Sequence, residues 1–216
     1  PGGISVLAAA PKGGLFNAPE TYMHKLVFSG EIENSALDLD FTIEKNFKNL
    51  ADSLNKNIED LTICLLDRPR HKEIIDIAKK FKIKMKLISD GDVAGALLVT
   101  DKDSNVDLFL GIGGGPEGVI VASAIDSYNY NFKGRFIFST EQDKIRAKKM
   151  GIEDLNKKYD LKEIIKGDSI FSATGITSGD LVKGVKKLNN EFLTETLVTH
   201  KSQKIIKKIE KSIIIK

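Results

Sequence analysis

The chain has 216 residues, enough to bury a substantial core in one large domain or somewhat more. Its 33 basic residues stand against 30 acidic ones, and the net charge of +3 is too balanced to argue for a nucleic-acid partner. With 41% hydrophobic and 29% charged residues, one cysteine, no signal-peptide pattern and no apolar run of spanning length, the expectation is a cytoplasmic protein without disulfides or membrane partners.

Ile4 to Ala10 is a β-prone run, broken by Pro11-Lys12-Gly13-Gly14. Tyr22 to Phe28 alternates as a second strand, and the two are expected to pair across the intervening loop. Ser29 to Asp40 is polar and turn-like, a candidate boundary. From Thr42 the spacing of Phe47, Leu50 and Leu54 is helical. Strands and helices then alternate. Leu61 to Leu66 is a strand in which Cys64 reads as a buried small apolar residue, followed by a helix from Pro69 to Phe81 with Ile74, Ile75, Ile77, Ala78 and Phe81 inward. Lys84 to Ile88 is a strand, Asp92 to Val99 a short helix, and Val106 to Leu110 a strand entering the glycine stretch 111–118 and a helix behind it. Arg135 to Ser139, a charged helix from Glu141 to Met150, and Ser169 to Ala173 follow, with a closing pair at Thr194 to Thr199 and Lys204 to Ile209. The end from Lys201 to Lys216 interleaves six lysines with six isoleucines and reads as a strand or helix with a solvated face. The pattern predicts an α/β protein whose mainly parallel or mixed sheet is flanked by helices.

Ligands of open α/β sheets collect beyond the carboxyl ends of the strands. The first such end carries Asp67-Arg68-Pro69-Arg70-His71. Asp67 suits a helix N-cap, while two arginines and a histidine in a first turn oppose the helix dipole unless an external anion, such as phosphate, lies against them. A solvated surface cluster paired with acids is the competing reading. The next end carries Ser89-Asp90-Gly91-Asp92, whose carboxylates are either simple caps or acceptors for sugar hydroxyls near a hard cation. At 111–118, Gly-Ile-Gly-Gly-Gly-Pro-Glu-Gly reads as a strand–loop–helix anion site, with Pro116 in the first turn. Glu117 there either serves the helix dipole or holds a cation. Residues Thr174 to Asp180 add a small polar stretch at the same edge. Together these ends describe a pocket for a phosphorylated, polyhydroxylated small molecule with a metal nearby.

Residues 113–118 also fit G-x-G-x-x-G, but Pro116 falls inside the match, which does not follow the first strand of the sheet. A nicotinamide-dependent enzyme is therefore disfavoured. His24, His71 and His200 lie in separate segments, with no serine elbow beside them.

These motifs, in order, resemble the class II fructose-1,6-bisphosphatases of bacteria. The matching strings are Ile4 to Gly14, Asn17 to Met23, Asp67 to His71, Asp90 to Ala94, Gly111 to Gly118, Ile170 to Thr177 and Thr194 to Leu197. The resemblance implies the layered sugar-phosphatase fold shared with inositol monophosphatases. It implies metal-dependent hydrolysis of the 1-phosphate of fructose 1,6-bisphosphate in gluconeogenesis, with manganese, or magnesium, as cofactor and a dimeric or tetrameric full-length form. Tyr22, Arg68, Pro69, Arg70, Asp90, Gly91, Asp92 and Gly114 match substrate-binding positions, and Glu117 matches a metal ligand. The family's other metal ligands and its water-positioning threonine precede or form an Asp-Pro-(Leu/Ile)-(Asp/Glu)-Gly-Thr motif that this sequence does not contain, so no catalytic residue is expected in it. The expectation is a C-terminal portion, inactive alone. Residues 1–36 would be the trailing strands of an N-terminal α+β domain, 37–190 a sugar-phosphate domain, and 191–216 strands returning to the first. Action on sedoheptulose 1,7-bisphosphate and a non-catalytic sugar-phosphate-binding module are the alternatives.

Overall fold

The computed structural model describes residues 2–214. Among these residues, eleven strands form two sheets and six α-helices pack with them. The strands are β1 (Ile4–Ala9), β2 (Tyr22–Phe28), β3 (Thr62–Leu66), β4 (Lys84–Ile88), β5 (Leu108–Gly114), β6 (Asn131–Ile137), β7 (Tyr159–Asp160), β8 (Ile170–Gly175), β9 (Lys186–Leu188), β10 (Glu191–His200) and β11 (Ile205–Ile214). The helices are α1 (Ile43–Leu54), α2 (Lys72–Lys80), α3 (Asp92–Leu97), α4 (Gly115–Tyr128), α5 (Glu141–Lys149) and α6 (Leu161–Ile164). No helix is long and apolar enough to cross a membrane among the described residues.

One sheet has the order β4-β3-β5-β2-β6-β7; the other runs β1-β8-β10-β11, with β9 beside β10. The first is mixed: β4, β3 and β5 are parallel, while β2 enters antiparallel between β5 and β6. The second is antiparallel throughout. Helices α3 and α4 fill the layer between the sheets. Their Val93, Ala96, Val121, Ala122 and Ile125 share a core with Met23 and Val27 of one sheet and Phe171, Ala173 and Leu197 of the other. The alanine-rich α4 is apolar nearly all round because it has a sheet on both sides. Helices α1 and α2 cover the far face of the mixed sheet, where Phe47, Leu50, Ile74 and Ala78 meet Leu26, Phe28, Ile63, Leu65 and Leu108. The layering is sheet, helix, sheet, helix.

Several expectations change. β1 and β2 do not pair: β1 joins β8 and β2 joins β5 and β6, because alternate residues of β2 are wanted in two different cores. The sheets do not follow chain order: β2 lies within the mixed sheet, while β8, β10 and β11 share a sheet with β1. The segment 29–40 is not a linker, as it buries Ile32, Leu37 and Leu39. The stretch after Lys201 is strand β11, with Ile206, Ile209, Ile213 and Ile214 exposed; residues 215–216 lie outside the described residues. Lysines 207, 208 and 211 along this edge oppose further strand addition. Cys64 is fully buried as expected, and burial pushes its thiol up to about 12.

The feature that shapes the ligand edge is a split in the mixed sheet. β3 and β5 pair only through Ile63 with Leu108 and Cys64 with Phe109, then part. His71 fills the opening. Its Nδ1 lies 2.7 Å from the Leu66 carbonyl, and its Nε2 2.7 Å from the Ile112 amide nitrogen. A carbonyl can only accept and an amide N–H only donate, so the ring is neutral with its proton on Nδ1. Residues 69–71 form a 3₁₀ turn rather than the start of the helix, which begins at Lys72. Asp67 is not a cap; its N–H goes to the Ile88 carbonyl, tying the loop to β4.

Burial, foremost, holds the His71 imidazole below its ordinary 6.5, with the Arg70 charge adding to it. A histidine kept neutral by the fold contributes stability that is complete above 6.5 and is lost as pH falls below it, because the unfolded chain then binds the proton first. His71→Ala should cost roughly 1–3 kcal/mol at pH 7.5, since the Ile112 N–H loses its partner while the Leu66 carbonyl keeps the Arg68 N–H. Urea titrations between pH 7.5 and 5 should also show a shallower acid-side loss of stability in the variant. An unchanged slope would mean that the wedge does not require the neutral ring.

Candidate functional site

The glycine stretch is not a loop. Gly111 to Gly114 are the end of β5 and remain fully paired with β2, from Lys25 opposite Gly111 to Tyr22 opposite Gly114. The chain enters α4 at Gly115 directly, with Pro116 in the first turn and the Gly115 N–H given to the Thr21 carbonyl at 2.7 Å. What the glycines provide is room. A Cβ on Gly113 would collide with the Asp92 carboxylate, and one on Gly114 with the Glu117 carboxylate. Two acidic side chains thus lie directly over a strand that has been stripped of side chains to admit them. The apparent dinucleotide fingerprint spans this strand end and helix start, and its glycines serve packing.

Two open clefts flank these carboxylates. One, of about 650 Å³, is lined by Glu20, Thr21, Tyr22, Gly114, Pro116, Glu117, Ser139 and Asp143. The other, of about 530 Å³, is lined by Gly2 to Ile4, Val6, Ser89 to Val93 and Glu117. Glu117 belongs to both and stands on the ridge between them. In the second cleft Gly91 takes a positive φ of 83° immediately before α3, which turns the chain so that Asp92 enters the first helical turn while Asp90 stays exposed. The Thr174 to Asp180 stretch borders this cleft from behind, where the Thr177 hydroxyl accepts the Gly3 N–H at 2.6 Å.

The arginines approach from the split. Arg70 Nε donates to the Ile112 carbonyl at 2.9 Å, and its guanidinium carbon lies 5.0 Å from the centre of the Tyr22 ring. Ile112 is thus held through its N–H by His71 and through its carbonyl by Arg70. Tyr22 is half exposed, at 49%, and extends this contact to the first cleft. Arg68 and Pro69 are exposed in the same loop but line neither cleft. Tyr22, Gly114, Glu117, Asp90, Gly91 and Asp92 therefore share one rim; Arg70 joins it through Tyr22, and Arg68 and Pro69 flank it. On the side of Arg70 away from the rim, His24 faces a small enclosed pocket shared with Glu73 and Ile112. Burial, and then the charge of Arg135, push His24 down to about 4, so it is neutral near pH 7.

Sequence reasoning missed Lys25. It is fully buried, its Nζ pairs with Asp92 Oδ2, and it donates to the Gly114 carbonyl at 2.8 Å. Burial pulls this ammonium below the ordinary lysine value, opposed by Asp92 and by the more distant Glu117. The signal was available: in the alternation of β2 it shares a phase with Met23 and Val27, both core residues.

A hard divalent cation takes about six oxygen ligands. Glu117 can supply one, but no group of three or more His, Cys, Asp or Glu side chains suited to a metal gathers among the described residues. The fit is partial: one ligand, with Asp92 already paired to Lys25. A second grouping resembles a triad and is not one. His200 Nε2 faces Asp168 Oδ2 at 2.6 Å and the Ser202 oxygen at 3.2 Å, so serine and aspartate meet the same ring nitrogen and no relay through the ring exists.

The family model described as bacterial fructose-1,6-bisphosphatase, glpX-encoded, matches residues 1–213. The D-fructose 1,6-bisphosphatase class 2/sedoheptulose 1,7-bisphosphatase of Synechococcus sp. (strain JA-2-3B'a(2-13)) is 35% identical over 222 residues, which is 97% of this chain and 64% of that protein. The fructose-1,6-bisphosphatase class 2 of Haemophilus influenzae (strain ATCC 51907 / DSM 11121 / KW20 / Rd) is 37% identical over 96% of this chain and 66% of its own length. For fructose-1,6-bisphosphatase 1 class 2 of Escherichia coli (strain K12) the values are 36%, 96% and 65%. The chain thus spans just under two thirds of the length of these relatives. Matched over all but its last few residues, the chain belongs to the glpX-encoded bacterial fructose-1,6-bisphosphatase family.

Proposed function

We propose that the chain forms the sugar-phosphate-binding part of a metal-dependent phosphatase that removes the 1-phosphate of fructose 1,6-bisphosphate. The observation that carries this reading is the common rim, where Tyr22, Gly114 and Glu117 border one cleft and Asp90, Gly91, Asp92 and Glu117 border the next. Arg70, with Arg68 and Pro69 in its loop, would receive a phosphate, because a guanidinium fork matches phosphate oxygens and its Nε is already held by the Ile112 carbonyl. Tyr22 would carry the sugar on its exposed face. Asp90 and Asp92 would accept from sugar hydroxyls. The N-terminus of the 14-residue helix α4 adds backbone donors beside Gly114.

A divalent cation, manganese or magnesium, would supply charge neutralisation at the transferring phosphoryl group. Glu117 is its proposed ligand on this chain, and the remaining ligands and the catalytic groups would come from residues other than those described. A cytoplasmic, homo-oligomeric full-length enzyme is part of the same proposal. So is action on sedoheptulose 1,7-bisphosphate, which the name of the Synechococcus relative supports. The shortage of carboxylates favours one competing reading, a sugar-phosphate-binding module without catalysis.

Three measurements separate these readings. Calorimetry should show the chain binding fructose 1,6-bisphosphate, and Arg70→Ala should weaken that binding by about 10- to 100-fold, the equivalent of a lost charged hydrogen bond at roughly 1.5–3 kcal/mol. Equal affinities would make Arg70 a strut for Ile112 and Tyr22 only. Gly113→Ala should weaken binding comparably, since the new methyl displaces Asp92; unaltered binding would remove Asp92 from the site. Phosphate release by the chain alone with manganese or magnesium should stay near background, whereas rapid turnover would show that its own residues suffice.

A further inference from the structure

Lys25 sits at the centre of the mixed sheet, on a strand paired along both edges, with its side chain on the apolar face shared by Met23 and Val27. Nothing about that position calls for a charge. A methionine or leucine would fill it without the desolvation that an ammonium suffers there. The surroundings are nevertheless built around it. A Cβ on Gly118 would come within 3.4 Å of the lysine Cδ, and one on Gly113 within 3.1 Å of Nζ. Gly118 and Gly113, from different elements, leave space that Lys25 shares with the Met23 thioether and the Asp92 carboxylate, which a Cβ at these positions would meet first.

At the end of this space the ammonium meets oxygen atoms from separate elements. It pairs with Asp92 Oδ2 in the first turn of α3 and donates to the Gly114 carbonyl, the last residue of β5. The Glu117 carboxylate, in the first turn of α4, bears on it through space. The positive charge thus neutralises the Asp92 carboxylate that lies over Gly113, while the Glu117 carboxylate lies over the next residue, Gly114. The bond to Asp92 uses Oδ2, so Oδ1 is the oxygen available to a ligand hydroxyl. With side-chain exposure of 1%, Lys25 itself cannot touch a ligand in the clefts.

We infer that Lys25 is a positioning residue for the sugar site, whose buried ammonium fixes the Asp92 carboxylate and the Gly114 carbonyl in one arrangement before any ligand arrives. The inference rests on the sugar-bisphosphate reading given above and deepens it, because it assigns the order of the site to a residue behind its wall.

The test is a double-mutant cycle with fructose 1,6-bisphosphate as the probe, read by calorimetry on the 216-residue chain, joined to amide spectra of the ligand-free proteins. Lys25→Met and Asp92→Asn should each weaken binding at least tenfold, and the double variant should bind no worse than the weaker single one, within about twofold. A purely structural lysine would give losses that multiply, and that result, or a Lys25→Met variant within twofold of the parent, overturns the inference. In the spectra, Lys25→Met should shift the amides of Asp92 and of Gly114 to Glu117 while the α1 and α2 amides keep their places. If the parent does not bind the bisphosphate, the bisphosphate reading fails, and the spectra alone decide the positioning role: unmoved amides at 92 and 114 refute it. Should Lys25→Met not fold, Lys25→Gln, which keeps a donor for the Gly114 carbonyl, carries the same cycle. Failure of both to fold would make the lysine a stability element and also overturn the proposal.

Discussion

The parting of β3 from β5 is the constraint on which the rest of this protein depends. Two parallel strands that stay paired leave no crevice, and two that part expose backbone groups that must find partners. Here they part after two residue pairs, and one imidazole closes the gap by accepting from Ile112 and donating to Leu66. Because His71 fills the interior of the split, its neighbour Arg70 is left at the mouth, against Ile112 and Tyr22. The position of the basic loop is a by-product of repairing the sheet. A neutral ring is essential to that repair, and burial provides it.

The second determinant is β2. Insertion of an antiparallel strand beside β5 extends its pairing to Gly114 and so converts a glycine-rich segment into a flat, bare surface. Carboxylates from α3 and α4 then take the places that side chains at 113 and 114 would fill, and the lysine of β2 pairs with that of α3. Glycine, acid and buried base form one unit. None of the three makes sense without the other two, since the acids need the space and the charge, and the lysine needs the acids to justify its burial.

This interdependence explains what could be read from the sequence. The local signals were sufficient for the helix behind Thr42, the strands at 62–66 and 84–88, the buried Cys64 and the strand ends that carry Asp90, Asp92 and Glu117, whereas Tyr22 was singled out by the family resemblance alone. Each depends on periodicity, on a cap or on the rule that ligands meet strand termini. The pairing of β1 with β8, some 165 residues away, left no trace in either segment, because an apolar strand records that it is buried and not by what. The glycines read as a loop for the same reason: their strand character comes from β2, an element far upstream. The 3₁₀ turn before α2 and the idle Asp67 follow from the wedge at His71, which no local pattern announces.

The arrangement of charge at the rim also explains how a site can be well ordered and chemically unfinished at once. A phosphoryl-transfer centre needs several oxygens around its cations, and such clusters repel themselves until a cation binds. Here Asp92 lies over Gly113 and Glu117 over Gly114, and the protein pairs its own ammonium with Asp92. One carboxylate is thereby neutralised and committed to orientation, and the other, on the ridge between the clefts, remains available. Under the proposed function, a surface built this way would meet a polyol and a phosphate with residues already held in place, and would contribute one anionic ligand, Glu117, toward a cation. On that reading, affinity and turnover would be properties of different parts of the molecule: the first set by the packed split and the buried lysine, the second by oxygens brought to Glu117.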